Sequence, residues 1–265
     1  MSAAARRVAL VTGGSRGLGR EAARALTADG WSVAVTGRQA DALDQVVAAG
    51  EAALALAGDV TDAPAVAAAV RRTEDELGPL DLLLANAGAF ASGGRLWELD
   101  ADTWWRDVEV NLRGAFLSLH AALPGMVARG RGRIVVMGSG FGMVPTPGGS
   151  AYACAKAAVA RLVDTVAAEL AGTGVVVLTV SPGMVPTDMT HGFPEGFLEL
   201  RPALREPAPE AWTPAETFVQ LLLRITAGEL DALHGRFVRS RDDVAALRAA
   251  VDEPAAGTLR LAPWS

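Results

Sequence analysis

Tyr152 and Lys156 are the residues of this chain whose types and spacing most directly suggest chemistry. They are its single tyrosine and single lysine among 265 residues, and arginine supplies the other basic side chains apart from three histidines. Four positions apart on a helix, two side chains lie on the same face, one turn from each other. An ammonium within about 4 to 6 Å favours the phenolate and lowers the pKa of a tyrosine by roughly 1 to 3 units. The pair therefore predicts a tyrosine general acid or base, with an ordinary pair of surface side chains as the alternative.

A glycine-rich turn covers residues 12–19, with the sequence Thr-Gly-Gly-Ser-Arg-Gly-Leu-Gly. It follows a short apolar segment and opens a predicted helix. Glycines allow the phosphates of a ligand to approach the backbone closely, and the N-terminus of a helix offers free N–H groups and the positive end of its dipole. The turn predicts a dinucleotide site, and a tight turn without a ligand is the alternative.

The elements that must position these motifs are short β-branched segments alternating with longer, alanine-rich amphipathic segments. The predicted strands are 8–11, 32–36, 53–56, 80–85, 133–137, 175–180 and 236–238. The predicted helices are 18–28, 40–48, 63–77, 101–127, 151–170 and 214–226. Strands joined by helices pair in parallel through right-handed crossovers. We therefore predict an α/β fold, a doubly wound Rossmann domain with a parallel sheet of about seven strands and helices on both faces. Ligands of such a sheet bind at the carboxyl ends of its strands.

The whole chain, 1–265, is predicted to form this one domain, because neither a repeat nor a linker divides it. Residues 190–213 are predicted to be an irregular flap over the substrate, and residues 240–265 a C-terminal extension. Seven apolar side chains could line a substrate pocket under the flap or belong to the core. They are Phe141, Met143, Val144, Met184, Met189, Phe193 and Phe197.

Charge and composition argue against several classes of partner. A net charge of -6 and a pI near 5.2 oppose binding to nucleic acid or an anionic membrane, because both require a positive surface. Neither a signal peptide nor a membrane span is recognisable, which predicts a cytoplasmic protein. The single cysteine, Cys154, excludes an internal disulfide and is expected to be a small core residue. His120, His191 and His234 lack the spacing of metal ligands, so no metal site is predicted.

Together the two motifs resemble the signature of the short-chain dehydrogenase/reductase family, a Thr-Gly-x-x-x-Gly-x-Gly turn followed much later by Tyr-x-x-x-Lys. Further residues match the family in the same order. Asn-Ala-Gly stands at 86–88, Asn111 lies in the long predicted helix, Ser139 follows the fifth predicted strand, and Pro-Gly-x-x-x-Thr spans 182–187. The resemblance covers residues 6 to about 190 and the last predicted strand.

This resemblance implies a role for each matched residue. Tyr152 exchanges a proton with the substrate oxygen, and Ser139 hydrogen-bonds the same oxygen. Lys156 holds the nicotinamide ribose and tunes Tyr152, while Asn111 holds a water that connects Lys156 to solvent. Asp59 matches the position that meets the adenine. With Tyr152 and Lys156, the implied cofactor-binding residues are Gly13, Ser15, Arg16, Gly17, Leu18, Gly19, Arg38, Asp59, Val60, Asn86, Ala87, Gly88, Pro182, Gly183, Val185 and Thr187.

The end of the second predicted strand indicates which nicotinamide cofactor fits. A site selective for NAD usually places a carboxylate there for the ribose 2′-hydroxyl, but this chain has Thr36-Gly37-Arg38. Arg16 in the glycine turn lies on the other side of the same space. Two guanidinium groups can bind a 2′-phosphate, so NADP(H) is predicted in preference to NAD(H).

The implied function is that of a ketoreductase, an NADP(H)-dependent oxidoreductase that interconverts a carbonyl and a secondary alcohol of a small, apolar molecule by hydride transfer. The alternatives are an NAD-dependent alcohol dehydrogenase of the same family, a non-redox enzyme on the same fold and a nucleotide-sensing protein. A homo-oligomer, tetramer or dimer, is also expected. The predicted helix 151–170 is apolar over more of its circumference than one contact requires, and helix 101–127 carries Trp104 and Trp105.

Overall fold

The computed structural model describes residues 7–250, in which a seven-stranded parallel sheet has helices on both faces. The strands are β1 (Val8–Thr12), β2 (Ser32–Gly37), β3 (Leu54–Ala57), β4 (Leu80–Ala85), β5 (Gly132–Met137), β6 (Val175–Ser181) and β7 (Phe237–Arg239). Their order across the sheet is β3-β2-β1-β4-β5-β6-β7. The seven predicted strands and the doubly wound fold are confirmed, with each strand end within one residue of its prediction.

The helices are α1 (Gly17–Ala28), α2 (Ala40–Ala48), α3 (Ala63–Leu77), α4 (Ala101–Val108), α5 (Gly114–Arg129), α6 (Ser150–Glu169), α7 (Asp188–His191), α8 (Glu195–Leu200), α9 (Ala215–Thr226) and α10 (Val244–Ala249). Residues from α1 and α9 pack on one face of the sheet, and residues from α3, α5 and α6 pack on the other. Successive residues of β1 alternate between these two cores, because side chains of a strand point to opposite faces. Among residues 7–250, no helix is long and apolar enough to cross a membrane.

The predicted helix 101–127 is not one α-helix, and this prediction is wrong. A π-helical segment, Glu109–Arg113, separates α4 from α5. A π segment widens the helix by one residue per turn and redirects the side chains on either side of it, which is why such segments are frequent at functional sites. Asn111 lies in the middle of this segment.

The flap predicted as irregular at 190–213 contains ordered helical structure. Helix α7 begins just before it, α8 lies inside it, and three-residue 3₁₀ turns occur at Pro202–Leu204 and Pro209–Ala211. The predicted extension includes α10, and its last fifteen residues, 251–265, lie outside the described part of the chain. That residues 1–265 form a single domain stays a prediction.

The sheet order creates a crevice where the chain changes direction. Strand β1 lies between β2 and β4. From β1 the chain first builds one half of the sheet, β2 and β3, and then crosses to the other half, β4 to β7. In open parallel sheets, ligands bind outside the carboxyl ends of the strands at such a point. The glycine turn follows β1, and Asn86 follows β4, so both predicted motifs lie at this crevice.

Candidate active site

The glycine turn brings the backbone of β1 close to the segment after β4. Gly13 and Gly17 have φ values of +66° and +52°, a region that side chains disfavour. A Cβ on Gly13 would lie 2.9 Å from the Cα of Ala87, and one on Gly19 would lie 2.2 Å from the carbonyl oxygen of Gly13. These two contacts require glycine.

No side chain caps the N-terminus of α1, because Arg16 stands at the cap position without a side-chain hydrogen bond to the helix. The first N–H groups of the helix are therefore available to a ligand. The glycines carry no side chain that would keep a ligand away from these N–H groups. The dipole of α1 favours a negative charge on that ligand. The turn has the geometry and charge that a dinucleotide diphosphate requires.

Asn86 holds the turn in place. Its Nδ2 donates hydrogen bonds to the carbonyl oxygens of Thr12, at 2.9 Å, and Gly13, at 3.1 Å. The Oγ1 of Thr12 accepts in return from the backbone N–H groups of Asn86 and Ala87. This reciprocal set joins the carboxyl ends of β1 and β4, so Asn86 shapes the cleft through the backbone.

The groups expected at a 2′-phosphate are two arginines at the end of β2 and in the glycine turn. Arg38 is exposed, and it forms no salt bridge with any residue from 7 to 250. Arg16 is also exposed, and its Nη1 donates to Asp188 at 2.9 Å. Both side chains line the same cleft. Arg38 therefore offers an uncompensated positive charge, whereas Arg16 has a carboxylate within reach.

Asp59, expected near the adenine, has partners that the motifs did not predict. Its Oδ1 accepts from the N–H and Oγ1 of Thr61, and Arg106 donates to its Oδ2. Burial opposes the charge of Asp59, but these hydrogen bonds and the guanidinium outweigh it and lower the pKa of the carboxyl. Asp59 is therefore ionised, and its two oxygens are largely engaged by the protein.

Tyr152 and Lys156 are both buried on α6, which excludes the ordinary surface pair considered as an alternative. The Nζ of Lys156 donates to the carbonyl oxygen of Met137 at 2.8 Å and lies 5.5 Å from the centre of the Tyr152 ring. Burial lowers the pKa of Lys156 to about 8, because a charged ammonium loses its hydration there.

The lowered pKa expected for Tyr152 is not found. Burial raises the pKa of its phenol to about 12; a hydrogen bond with the side chain of Ser139 opposes this shift, and the charge of Asp107 adds to it. The reason is that desolvation disfavours the phenolate, while the ammonium of Lys156 is directed at Met137. Tyr152 is therefore protonated at neutral pH and suited to donate a proton.

Asn111 carries a buried polar atom without a partner. Its Nδ2 donates to the carbonyl oxygens of Ala89, at 2.6 Å, and Asp107, at 2.8 Å. Its Oδ1 has no hydrogen-bond partner within residues 7–250. A Cβ on Gly88 would lie 3.0 Å from that oxygen, so the glycine leaves room beside it. An unpaired buried carbonyl oxygen is a place for a water molecule, in line with the role implied for Asn111.

A cleft of about 450 Å³ joins most of the predicted residues. Those that line it are Gly13, Ser15, Arg16, Gly17, Leu18, Gly19, Arg38, Asp59, Val60, Asn86, Ala87, Gly88, Tyr152, Lys156, Pro182 and Thr187. Ser139, Asn111, Gly183 and Val185 are not part of its lining. Ser139 acts on the cleft through Tyr152, because its side chain lowers the pKa of the phenol against the effect of burial, and Val185 is buried.

One face of the Tyr152 ring is covered by an aromatic cluster. Phe90 stacks on the phenol, with ring centres 4.8 Å apart and planes 6° from parallel. Phe193 and Phe197 from the flap pack against Phe90, and Phe197 is fully buried. Of the seven apolar residues considered for a pocket, Val144 is 55% exposed and lies outside this cluster.

Three residues of the site were missed by sequence reasoning: Phe90, Arg106 and Asp107. Phe90 follows the Asn-Ala-Gly motif by two positions, and Asp107 precedes Asn111 by one helical turn, so spacing from known motifs could have identified both. Cys154 is a separate error, because it is exposed on α6 instead of belonging to the core. Residues 7–250 contain no group of three potential ligands that could hold a metal ion.

Residues 7–196 match the family model described as short chain dehydrogenase. The chain is 38% identical over 216 residues to a 3-oxoacyl-[acyl-carrier-protein] reductase of Synechocystis sp., which covers 79% of this chain and 87% of that protein. It is 35% identical over 193 residues to a 2-dehydro-3-deoxy-L-rhamnonate dehydrogenase (NAD(+)) of Sphingomonas sp. This match covers 73% of this chain and 78% of that protein. The fold is similar to that in the crystal structure of levodione reductase, with a TM-score of 0.77 and 26% sequence identity between the two chains. The match covers 88% of this chain and 95% of that one.

Proposed function

Because the chain belongs to the short-chain dehydrogenase/reductase family and is an oxidoreductase of hydroxyl and carbonyl groups that uses a nicotinamide cofactor, we propose that it is an NADP(H)-dependent ketoreductase with Tyr152 as its general acid and base. The observation that carries the proposal is the buried phenol of Tyr152, one helical turn from the buried ammonium of Lys156 in the wall of a cleft that the glycine turn also lines.

The residues of the cleft fit a nicotinamide dinucleotide along its length. The uncapped N-terminus of α1 would hold the diphosphate, and the glycine turn before it would let the diphosphate approach the backbone. Lys156, which lines the same cleft, would hold the ribose next to the nicotinamide. When bound, the cofactor supplies or accepts the hydride.

NADP(H) is the proposed cofactor because the end of β2 presents a cation and no carboxylate. Arg38 has no acidic partner among the described residues, so it can bind a 2′-phosphate without breaking a salt bridge. Arg16 would exchange its exposed contact with Asp188 for the phosphate. An exposed ion pair is worth at most about 1 kcal/mol, so this exchange has a small cost.

Each catalytic residue has a distinct task in the proposed reduction. Tyr152 donates its phenolic proton to the substrate oxygen as negative charge develops there, and its raised pKa keeps that proton in place until then. Ser139 hydrogen-bonds the same oxygen and orients it. Lys156 stabilises the resulting phenolate through its ammonium. Asn111, with its unpaired Oδ1, holds the water through which the proton of Tyr152 is restored.

The substrate is proposed to be a small, apolar carbonyl compound or the corresponding alcohol. Phe90, whose ring lies on the phenol of Tyr152, would contact it, and Phe193 and Phe197 would support Phe90 by packing against it. Aromatic side chains bind apolar molecules mainly by removing their surface from water.

The experiment follows the nicotinamide absorbance of NADPH with a panel of ketones and aldehydes that increase in size and apolar character. Consumption of NADPH that saturates with an apolar carbonyl is expected, and the reverse reaction with the product alcohol and NADP+ should form NADPH. The same assays with NADH in place of NADPH measure the cofactor preference. Binding of NADPH without turnover of any panel member would favour the nucleotide-sensing alternative, and a preference for NADH would favour the NAD-dependent dehydrogenase.

A further inference from the structure

Arg106 lines the cleft, although none of the recognised motifs includes it. It lies on α4, and its guanidinium reaches the segment that follows β3, where it contacts Asp59, 47 positions earlier in the chain. Its side chain is 41% exposed, so it lies at the surface of the cleft. A charged group placed there can affect which ligand the cleft accepts.

Arg106, Asp59 and Thr61 form a closed ring of hydrogen bonds. The Nη2 of Arg106 donates to the Oδ2 of Asp59, and its Nη1 donates to the Oγ1 of Thr61 at 2.9 Å. That Oγ1 donates to the Oδ1 of Asp59 at 2.8 Å, and the backbone N–H of Thr61 donates to the same oxygen at 2.9 Å. The carboxylate is therefore held at both oxygens, and it cannot rotate without losing a hydrogen bond.

The ring leaves one acceptor position of Asp59 unused. Each oxygen of a carboxylate can accept about two hydrogen bonds. Oδ1 has two donors, both from Thr61, whereas Oδ2 has Arg106 as its one donor within residues 7–250. The Asp59 side chain is 32% exposed and lines the cleft. Oδ2 can therefore accept a further hydrogen bond from a ligand, and Arg106 determines where that oxygen lies.

Two valines accompany this polar group at the same end of the cleft. Val60 follows Asp59 and packs against the start of α5, since a Cβ on Gly114 would lie 2.7 Å from its Cγ1. Val110 lies in the π segment, four residues after Arg106. Both valines are partly buried and line the cleft. Apolar side chains beside a few placed polar groups are what a flat ring with a polar edge requires.

The order of the strands indicates which part of a dinucleotide would reach this end. The glycine turn, proposed for the diphosphate, follows β1. Arg38, proposed for the 2′-phosphate, follows β2, and Asp59 follows β3, the next strand outward. Lys156, proposed for the nicotinamide ribose, bonds to Met137 of β5 on the other side of β1. The base attached to the ribose that carries the 2′-phosphate therefore belongs at the end of the cleft near Asp59.

We propose that Arg106 is a positioning residue for the adenine of the cofactor: together with Thr61 it fixes Asp59, so that Oδ2 accepts a hydrogen bond from the exocyclic amino group of the base. The proposal rests on the proposed function for the presence of a nicotinamide dinucleotide in the cleft. It gives Arg106 no part in hydride or proton transfer.

The consequence is selection between two bases. Adenine carries an amino group at the position where hypoxanthine carries a carbonyl oxygen. A carboxylate accepts a hydrogen bond from the amino group, but it repels the carbonyl oxygen. Fixing the carboxylate strengthens this selection, because a preorganised acceptor loses less freedom on binding. If Arg106 only tied α4 to the segment after β3, its removal would weaken the binding of both bases by the same factor.

The experiment measures dissociation constants by isothermal titration calorimetry without substrate. The ligands are NADPH and its analogue with hypoxanthine in place of adenine. NADH and its hypoxanthine analogue are measured in parallel, so the test does not depend on the preference for a 2′-phosphate. Arg106→Met removes the guanidinium, and Thr61→Val removes the hydroxyl that completes the ring. Two variants guard against one failing to fold, which circular dichroism detects.

Arg113→Met is the matched control. Arg113 is an exposed arginine at the end of the π segment and does not line the cleft. Its removal changes the net charge as Arg106→Met does, so a general electrostatic effect on an anionic ligand appears in both variants. Such an effect would change the affinity for the two bases equally.

Wild type is expected to bind the adenine form at least about tenfold more tightly than the hypoxanthine form, as a charged hydrogen bond allows. This ratio should fall at least about threefold in Arg106→Met and in Thr61→Val, and it should be unchanged in Arg113→Met. Equal binding of both bases by wild type, or an unchanged ratio in either folded variant of the ring, would overturn the proposal. Failure of the proposed ketoreductase activity would appear separately, as binding without turnover in the NADPH assay.

Discussion

Lys156 directs its ammonium at the backbone of Met137 and only flanks the ring of Tyr152. Its Nζ donates to the Met137 carbonyl oxygen at 2.8 Å, and the centre of the phenol ring is 5.5 Å away. Met137 is the last residue of β5, so this hydrogen bond ties the ammonium to the sheet as well as to α6. The position of the charge is therefore determined by two elements of the fold.

Lys156→Arg is expected to lower turnover by about two orders of magnitude or more in a folded protein. A guanidinium keeps the charge, but it is planar and larger, so it cannot place a donor at the same point beside Met137. A misplacement of about 1 Å at a catalytic group can reduce a rate on the order of a hundredfold. The measurement is kcat with NADPH and the best carbonyl of the panel, with circular dichroism to establish folding.

Arg161→Lys is the control for this exchange, because Arg161 is exposed on the same helix. It should retain nearly wild-type turnover. If Lys156→Arg also stays within about threefold of wild type, Lys156 has no catalytic role that depends on a compact ammonium.

The buried ammonium also predicts how stability changes with pH. Lys156 has a pKa lowered to about 8 in the folded state, against 10.5 as the ordinary value. Between these values the unfolded chain binds a proton that the folded chain does not, so this residue makes the free energy of unfolding rise with pH in that range. Below about pH 8 its burial destabilises the fold by a constant amount, on the order of 3 kcal/mol.

Lys156→Met removes the titrating group while retaining a side chain of similar length. Denaturant unfolding at a series of pH values should show the variant more stable than wild type near pH 7, and the difference should shrink as pH rises from about 8 to about 10.5. A difference that is constant across this range would contradict the lowered pKa of Lys156.

The sheet and the glycine turn could be predicted because their signals are local. Short apolar, β-branched segments between longer amphipathic ones indicate the strands. Gly13 and Gly17 occupy backbone conformations that few other residues adopt. Asp62 and Pro64 are residues typical of a helix start, and the Asp62 side chain caps α3 by accepting from the N–H of Ala65.

The features that could not be predicted depend on contacts between distant segments. The π segment around Asn111 follows from packing against the segment after β4, where Asn111 bonds to Ala89. The direction of the Tyr152 pKa shift depends on burial by Phe90, which is 62 positions away in the chain. A spacing of four residues can place Lys156 near Tyr152, but it carries no information on where the ammonium points.

Cofactor preference is expected to change on replacing Gly37 by Asp and Arg38 by Ser. A Cβ at Gly37 would meet Leu43 and Ser15 at 3.5 Å, an ordinary contact, so the carboxylate can be accommodated. It would repel a 2′-phosphate, and the loss of Arg38 would remove a charged hydrogen bond worth about 1.5 to 3 kcal/mol.

The ratio of kcat/KM for NADPH to that for NADH should therefore fall at least roughly tenfold in the double variant. Arg71→Ser, which removes an exposed arginine on α3, should leave the ratio unchanged. A wild-type enzyme that already prefers NADH would refute the role given to Arg16 and Arg38.

A homo-oligomer is expected to use the outer surface of α4 and α5. Trp105 is 61% exposed and Phe116 is 47% exposed on these helices, and contact with a second copy would remove both rings from water. Light scattering at micromolar concentration should give a dimer or tetramer for wild type and a single 27.3 kDa chain for Trp105→Arg with Phe116→Arg.

Trp97→Arg is the matched control for assembly, since Trp97 is 80% exposed on a turn outside α4 and α5. It should keep the wild-type mass. A monomeric wild type, or an arginine double variant that still assembles, would show that this surface is not the interface.

Tyr152→Phe tests the central claim most directly, because it removes one hydroxyl and retains the ring that stacks on Phe90. The measurement pairs NADPH binding with NADPH consumption on the best carbonyl of the panel. Binding should stay within about threefold of wild type, whereas turnover should fall by about two to four orders of magnitude, the contribution typical of a general acid. Turnover close to that of wild type, in a variant that binds NADPH normally, would contradict the assignment of Tyr152 as the proton donor.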